Sequence, residues 1–199
     1  MKKIMVIGAS GTLGQAVVRE LRTDHEIVEA SRGDHRFPVD FSNEESVRAL
    51  FNKAGQLDGI IVAAGEAHIG PLKEMTAEQF NKGLQNKLLG QVRVYLIGQH
   101  HLSPGGSITL TTGIITDEPL RDCANVTSVD CALEGFVRAA AMENREIRVN
   151  AVSPTMLTES ADIYAAYCPG FEGVPASRAA LAYRRSVDGI QTGRVYRVW

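Results

Sequence analysis

A glycine-rich turn near the amino terminus limits the possible folds of this chain more than any other feature. The segment Gly8-Ala9-Ser10-Gly11-Thr12-Leu13-Gly14 directly follows an apolar run, Lys3–Ile7, and precedes an amphipathic stretch that reaches about Arg22. Glycine permits a turn with positive φ and a close approach of the backbone to a ligand, and a helix that begins there offers unpaired N–H groups to an anion. The context therefore predicts a strand, a phosphate-binding turn and a helix, as in dinucleotide-binding βαβ units.

Within this turn we expect a pyrophosphate to be bound by backbone N–H groups and by two hydroxyl groups. The expected contacts are Gly8, Ser10, Gly11, Thr12, Leu13 and Gly14. Gln15 follows the last glycine, where a triphosphate-binding P-loop would have a lysine to contact the terminal phosphate. A P-loop is therefore excluded, and a dinucleotide is predicted.

The rest of the chain alternates between short apolar runs and longer amphipathic stretches, which is typical of α/β proteins. Runs such as Ile4–Ile7 and Ile60–Ala63 are apolar without alternation, as expected for parallel strands covered on both faces. We predict one Rossmann-type, doubly wound domain over residues 1–199, with a mostly parallel seven-stranded sheet in three α/β/α layers. The predicted strands are Lys3–Ile7, Glu26–Ala30, a short one that ends at Asp40, Gly59–Ala63, Ser107–Thr111, Ile147–Val152 and Val195–Val198.

Capping motifs and an apolar repeat predict the main helices. Ser42-Asn43-Glu44-Glu45 and Thr76-Ala77-Glu78-Gln79 both have the pattern of capping boxes, and each is predicted to start a helix. After the second motif, apolar residues recur every four positions and predict a long helix to about His100-His101; they are Phe80, Leu84, Leu88, Val92 and Leu96. A further helix is predicted from Asn125 to about Glu143.

The end of the second predicted strand distinguishes between the two dinucleotides. A carboxylate there would accept a hydrogen bond from the ribose 2′-hydroxyl of NAD, whereas a cation would accommodate the 2′-phosphate of NADP. Ser31 and Arg32 occupy this position and favour NADP(H). Glu29 would favour NAD, but alternation along the strand directs it to a different side from Ala30. Asp40 is expected either to face the adenine or to cap a turn.

Composition and charge exclude several other classes of protein. With 21 Lys and Arg against 23 Asp and Glu, the formal charge is −2, so the chain lacks the basic excess typical of nucleic-acid-binding proteins. The apolar residues, 44% of the chain, form a core but no membrane span or secretory signal, and we expect a cytoplasmic protein with no nucleic acid or membrane partner. Three cysteines without paired spacing predict neither disulfides nor a metal site.

Motifs along nearly the whole chain resemble the short-chain dehydrogenase/reductase family. Besides the glycine turn, they are Ala63-Ala64-Gly65, Gly70-Pro71-Leu72, Gly106-Ser107-Ile108-Thr109, Ala132-Leu133-Glu134-Gly135-Phe136, Ile147-Arg148-Val149-Asn150-Ala151-Val152-Ser153-Pro154 and Thr192-Gly193. The resemblance implies a nicotinamide coenzyme, a small-molecule substrate and a homodimer or homotetramer built on the two long helices. It also implies a short substrate lid over residues 155–191 and further coenzyme contacts at Ala63, Ala64, Gly65, Lys87, Pro154 and Thr155.

The chain departs from the catalytic pattern of that family. The family uses a Tyr, a Lys four residues later, a Ser and an Asn, which together protonate the oxygen formed by hydride transfer. Alignment on Ala132–Phe136 places Val126 at the Tyr position and Asp130 at the Lys position. The usual Tyr and Lys pair is therefore missing.

The other two family positions also differ. Lys87 stands at the Asn position, with Asn86 one residue earlier. The Ser is replaced by Thr112 or, by strict counting, by Gly113. Lys87, Thr112 and Asp130 are the candidate catalytic residues.

Two hypotheses agree with these departures. In the first, the chain is an NADP(H)-dependent oxidoreductase of carbonyl and alcohol groups with a rebuilt site. Lys87 supplies the cation, Thr112 or Thr111 binds the substrate oxygen, and a lid tyrosine supplies the proton, either Tyr164 or Tyr167. In the second, Lys87 and Asp130 form an ion pair that fills the old site, and the chain binds NADP(H) without turnover, as a sensor or an assembly protein.

Two further candidates need less space for a substrate. Glu66 and His68, after the fourth predicted strand, are candidates for an acid–base pair. The alternative is that both are solvated loop residues. Cys123 precedes the helix that starts near Asn125, where the helix dipole would lower a thiol pKa, although a small buried residue is the simpler interpretation.

Overall fold

The computed structural model describes residues 1–199 and contains six strands and seven helices. The strands are β1 (Lys3–Ile7), β2 (Glu26–Ala30), β3 (Leu57–Val62), β4 (Leu102–Thr111), β5 (Arg148–Pro154) and β6 (Val195–Val198). The helices are α1 (Thr12–Leu21), α2 (Glu44–Ala54), α3 (Ala77–Gly83), α4 (Leu89–Gly98), α5 (Ala124–Glu143), α6 (Ala161–Tyr164) and α7 (Ala176–Asp188). None of the helices combines the length and the apolar character needed to cross a bilayer.

The six strands form one parallel sheet in the order β2-β1-β3-β4-β5-β6. The direction of winding reverses at β1, because β2 lies on one side of it and β3 on the other. In open α/β sheets such a reversal leaves a crevice outside the carboxyl ends of the strands, and ligands bind there. The glycine turn after β1 and the segment Ala63–Gly65 after β3 therefore meet at one crevice.

Helices cover both faces of the sheet. Helices α1 and α7 pack against each other on one face, and α2, α4 and α5 cover the other. The apolar core accordingly forms two clusters, one around Phe51 and Val137 and the other around Val17 and Tyr183. This arrangement confirms the predicted three-layer, doubly wound α/β/α fold.

The sheet has six strands rather than seven, so the predicted strand ending at Asp40 was wrong. Residues between β2 and α2 form a single bridge, from Ser31 to Pro38. Pro38 has no N–H group to donate to a neighbouring strand, and Asp34 turns the chain by accepting a hydrogen bond from the N–H of Phe37 at 2.6 Å. The segment therefore folds as turns beside β2.

One of the two predicted capping boxes forms. Thr76 Oγ1 accepts a hydrogen bond from the N–H of Gln79 at 3.2 Å, and the Gln79 side chain accepts one from the N–H of Thr76 at 2.9 Å. The first predicted box was wrong, because α2 is capped by Asn43, which accepts from the N–H of Ser46 at 3.1 Å. Ser and Asn are similarly good caps, so local sequence does not decide between Ser42 and its neighbour.

The long helix predicted after Thr76 is interrupted. Helices α3 and α4 are joined by a π-helical segment, Leu84–Leu88, and α4 ends in a 3-10 turn at Gln99–His101. Single π-helical turns inside α-helices are rare and often occur at functional sites. This one carries both Asn86 and Lys87.

A buried polar cluster joins β4, β5, α7 and the approach to β6. Asn150 donates hydrogen bonds to Ser186 Oγ at 3.0 Å and to the carbonyl oxygen of Gln191 at 2.9 Å, and accepts one from the N–H of Arg194 at 3.0 Å. Ser186 Oγ lies 2.7 Å from Thr109 Oγ1. Asn150 thus supplies partners that the turn before β6 would otherwise lack.

We expect Asn150→Ala to lower the free energy of unfolding by about 2–4 kcal/mol, because it leaves several buried polar groups unpaired. Asn52→Ala is the control, since Asn52 is exposed on α2, and it should change stability by less than about 0.5 kcal/mol. Urea denaturation measures both. Equal losses in the two variants would contradict a structural role for the cluster.

Candidate functional site

The glycine turn after β1 is tightly packed at two positions and open at one. Gly8 has a φ of +87°, and a Cβ there would lie 2.6 Å from the carbonyl oxygen of Ala63. A Cβ at Gly14 would lie 2.0 Å from the carbonyl oxygen of Gly8, so α1 approaches the end of β1 very closely. A Cβ at Gly11 would meet only the Gly8 oxygen, at 3.5 Å. Gly11 therefore faces open space.

The start of α1 fits an anionic group. Gly11 is the N-cap of this helix, and no side chain accepts a hydrogen bond from the N–H groups of its first turn. Those N–H groups and the positive end of the helix dipole are available at the exposed side of the turn, where Ser10 and Thr12 add hydroxyl groups. The turn thus has the donors and the open space that a pyrophosphate requires.

Arg32, after β2, forms an ion pair across the mouth of the crevice. Its guanidinium donates to Glu66 Oε1 at 2.9 Å, and Glu66 belongs to the loop after β3. Lys82 Nζ lies 3.6 Å from the other carboxylate oxygen of Glu66. The hydrogen bond from Arg32 is the main reason why the pKa of Glu66 is below its ordinary value. The predicted cation is therefore present but already has a carboxylate partner.

The neighbours of Arg32 have local roles. Glu29 forms an ion pair with Arg22, next to the end of α1. The Ser31 carbonyl accepts the N–H of Val39 at 3.1 Å. Asp40 accepts hydrogen bonds from the hydroxyl and the N–H of Ser42, at 2.6 and 3.0 Å, and the hydroxyl bond lowers the pKa of Asp40. Asp40 therefore caps a turn, which is one of the two roles expected for it.

Lys87 and Asp130 meet in the crevice, beside the segment after β3. Lys87 Nζ lies 3.0 Å from each carboxylate oxygen of Asp130, but its angle suits a hydrogen bond to Oδ2 and leaves Oδ1 unpaired. The Asp130 side chain is completely buried, whereas the Lys87 side chain is 14% exposed. Burial raises the pKa of Asp130, and the Lys87 ammonium opposes that shift.

The stem of Lys87 lies against the backbone after β3. A Cβ at Gly65, which has a φ of +144°, would lie 2.8 Å from Lys87 Cγ. The side chain therefore crosses the segment predicted to contact a coenzyme before it reaches Asp130. Sequence alone placed these three residues at family positions, and the structure brings them together.

The loop after β4 places Gly113, not a hydroxyl group, beside this ion pair. A Cβ at Gly113 would lie 3.6 Å from Asp130 Oδ2. Thr112 is buried, and its hydroxyl lies 3.5 Å from Glu134 Oε1. The Thr111 hydroxyl donates to the carbonyl oxygen of Val62 at 2.5 Å and lies 2.6 Å from the Tyr183 hydroxyl. Both threonine hydroxyls thus have partners away from Asp130.

Residues at the carboxyl end of β5 are enclosed by the lid. Pro154 ends β5, and the N–H of Thr155 donates to the carbonyl oxygen of Val198 at 2.9 Å. The Thr155 hydroxyl donates to the carbonyl oxygen of Glu172 at 3.4 Å. Tyr164 lies on α6 and is exposed, and neither Tyr164 nor Tyr167 forms a hydrogen bond with the ion pair.

The remaining candidates do not form reactive arrangements. Glu66 pairs with Arg32 and Lys82, and the His68 ring forms no hydrogen bond with it, so no Glu66–His68 acid–base pair is present. Cys123 is buried, and burial raises its thiol pKa, which opposes activation. No three His, Cys, Asp or Glu side chains are grouped so that they could hold a metal ion.

Two buried polar residues of α5 position the site but were not predicted. Asn125 donates to the carbonyl oxygen of Phe80 at 2.7 Å and so ties α5 to α3. Glu134 accepts from Thr116 Oγ1 at 2.8 Å and from Arg197 at 3.3 Å, which joins the loop after β4 to β6. The signal available in the sequence was a polar residue among the apolar positions of a helix, but it does not identify the partner.

Comparisons with known proteins agree with this architecture. The family model described as enoyl-(acyl carrier protein) reductase matches residues 9–191. The short-chain dehydrogenase/reductase ATR9 of Stachybotrys chlorohalonatus is 28% identical over 186 residues, which cover 77% of this chain and 72% of that protein. Versicolorin reductase 1 of Dothistroma septosporum is 35% identical over 125 residues, 58% of this chain and 46% of that protein. The chain thus spans less than half the length of this second relative.

Two solved structures are similar over nearly the whole chain. The protein lin1944 of Listeria innocua is 39% identical, with a TM-score of 0.98 and complete coverage of both chains. A small-chain dehydrogenase in complex with NADPH is 28% identical, with a TM-score of 0.89, and the match covers 99% of this chain and 96% of that chain.

We expect Gly14→Ala to destabilise the protein by about 3 kcal/mol, because its Cβ would collide with backbone at the end of β1. Gly11→Ala is the matched control, since it lies in the same turn with open space around it, and it should cost less than about 0.5 kcal/mol. Urea denaturation of both variants measures the difference. A stable Gly14→Ala variant would show that α1 does not need this close approach.

Proposed function

The chain belongs to the short-chain dehydrogenase/reductase family, and we propose that it is an NADP(H)-dependent oxidoreductase that interconverts a carbonyl group and an alcohol. The observation that carries the proposal is the Lys87–Asp130 pair, which stands at the crevice beside the segment after β3 with the Lys87 side chain 14% exposed. Names of related proteins as reductases and oxidoreductases support the same class of reaction.

The coenzyme would lie along the crevice. We assign its pyrophosphate to the turn after β1 and its 2′-phosphate to Ser31 and Arg32, and the similar dehydrogenase solved with NADPH supports this choice of dinucleotide. The proposed contacts are Gly8, Ser10, Gly11, Thr12, Leu13, Gly14, Ser31, Arg32, Ala63, Ala64, Gly65, Lys87, Pro154 and Thr155.

When bound, the nicotinamide supplies or accepts the hydride. When a hydride is transferred to a carbonyl carbon, the carbonyl oxygen becomes negative and needs a nearby proton donor. The Lys87 side chain is the partly exposed member of the pair, so we assign to its ammonium the hydrogen bond and the proton donated to this oxygen. Asp130, buried behind it, orients the ammonium through the hydrogen bond that Lys87 donates to its Oδ2.

Thr112 has a different assignment from the two charged residues. Its hydroxyl lies toward Glu134, so we assign Thr112 a structural role in the loop after β4. Lys87 is the residue that we assign to the substrate oxygen. A Cβ at Gly113 would lie 3.3 Å from Ile115 Cγ2 and 3.6 Å from Asp130 Oδ2, so the position where the family has a serine is closely surrounded.

A second candidate function follows from the same pair. Lys87 and Asp130 neutralise each other, and Val126 stands where the family has its proton-donating tyrosine. A protein of this kind would bind NADP(H) without turning it over and act as a sensor or an assembly partner. Both candidate functions require binding of the dinucleotide. Only a measurement of turnover therefore distinguishes between them.

We expect Lys87→Ala to reduce hydride transfer about 100-fold or more in single-turnover experiments, since it removes the proton donor. The substrate is the compound that the wild-type protein reduces fastest among aldehydes, ketones and quinones, and NADPH absorbance gives the rate. The double variant Lys87→Met, Asp130→Asn controls for the unpaired carboxylate that the single variant leaves behind.

The two variants should be equally slow and should still bind NADPH. An unchanged rate would remove Lys87 from the mechanism. Binding of NADPH to the wild-type protein without reduction of any compound in the panel would favour the sensor.

We propose that two or four copies associate through α4 and α5. Leu96 is 52% exposed on α4, and two small residues, Ala132 and Gly135, are exposed on α5. Gly83 on α3 and Gly90 on α4 pack inside the chain, against Asn125 and Phe41, and are not part of this surface.

We expect Gly135→Arg to shift the protein toward the monomer, because its side chain would project from the proposed contact surface. Arg replaces Gly where nothing lies within 4 Å of the new Cβ, so the fold should be retained. Light scattering after size exclusion measures the mass, and circular dichroism checks the fold. A monomeric wild-type protein would contradict the proposed association.

A further inference from the structure

The ion pair between Arg32 and Glu66 crosses the crevice that a dinucleotide would enter. Arg32 follows β2 and Glu66 follows β3, and these strands are the two neighbours of β1 in the sheet. The pair therefore spans two strand spacings, about 10 Å, over the turn where β1 ends. A dinucleotide whose pyrophosphate lies on that turn has its adenosine beneath or beside this contact.

We propose that Glu66 is an exchangeable counter-ion that occupies Arg32 in the free protein and gives it up to the 2′-phosphate of the coenzyme. This inference rests on the proposed binding of NADP(H). It makes Glu66 a determinant of coenzyme choice, placed on the loop after β3 instead of at the end of β2.

The charges around Glu66 support an exchange of partners. Lys82 Nζ lies 3.6 Å from the carboxylate oxygen that Arg32 does not bind. A 2′-phosphate at Arg32 carries nearly two negative charges and repels Glu66, which then has Lys82 as its remaining cation. Lys82 therefore reduces the cost of separating Glu66 from Arg32.

Exposure of the pair sets the size of the effect. The Arg32 and Glu66 side chains are 66% and 52% exposed, so water screens their attraction and the pair is weak. A ligand phosphate can displace an exposed ion pair such as this one more easily than a buried pair. NADH brings no phosphate to Arg32 and gains nothing when Glu66 leaves.

Glu66→Gln should therefore strengthen the binding of NADPH about two- to fivefold and change that of NADH less than twofold. Adenosine 2′,5′-bisphosphate and 5′-AMP serve as simpler probes of the adenosine end, and only the first should bind more tightly to the variant. Isothermal calorimetry at low and high salt measures each affinity, and the gain should shrink at high salt.

Glu44→Gln is the matched control, because Glu44 forms an equally exposed pair with Arg48 on α2, away from the crevice. Lys82→Gln should weaken NADPH binding in the wild-type background and have little effect in the Glu66→Gln background. That coupling is expected only if Lys82 acts through Glu66.

Three results would overturn the inference. If Glu66→Gln leaves the preference for NADPH over NADH unchanged, the inference fails but the proposed binding of NADP(H) stands. An equal gain in Glu44→Gln would reduce the effect to a change in net charge. Failure of the wild-type protein to bind either dinucleotide would remove the proposed function and this inference with it.

Discussion

The close approach of helix α1 to the end of strand β1 is the constraint on which the rest of the site depends. It exists because Gly14 brings no side chain against the carbonyl oxygen of Gly8, where a Cβ would lie 2.0 Å away. With the helix so placed, its first N–H groups open toward the crevice at the reversal of the sheet. Gly8 in turn lies against Ala63, so the same packing fixes the loop after β3. Phosphate turn and neighbouring loop are thus parts of one packed unit.

A second constraint acts between helices. Gly83 lets α3 approach Asn125 of α5, since a Cβ there would lie 2.2 Å from the Asn125 oxygen. Lys87 lies in the π-helical segment that follows α3, and its side chain reaches Asp130 on α5. A carboxylate as deeply buried as Asp130 is costly without a cation, so this approach and the ion pair depend on each other. The catalytic proposal uses a contact that the packing of α5 already needs.

Sequence predicted much of this arrangement because its strongest signals are local. The glycine turn, the Thr76 capping box and the apolar strands each depend on neighbours in the chain, and each was confirmed. The strand expected to end at Asp40 failed because Pro38 and a turn at Asp34 outweighed a short apolar run. The π-helical segment has no local signature, since its apolar repeat is that of an ordinary helix. Partners such as Glu66 for Arg32, or Arg197 for Glu134, are set by tertiary contacts between distant segments.

Both ends of the crevice therefore hold a cation with a carboxylate already bound to it. At one end the pair is exposed and weak, and at the other the carboxylate is buried and only the Lys87 side chain is partly exposed. The exposed carboxylate, Glu66, can move to Lys82, but Asp130 has no route to water. A dinucleotide in this crevice would thus take over Arg32 completely and share Lys87 with Asp130. Its net affinity would be the small difference between the bonds that form to the ligand and the Arg32–Glu66 pair that breaks, and it would fall as salt screens the phosphate end.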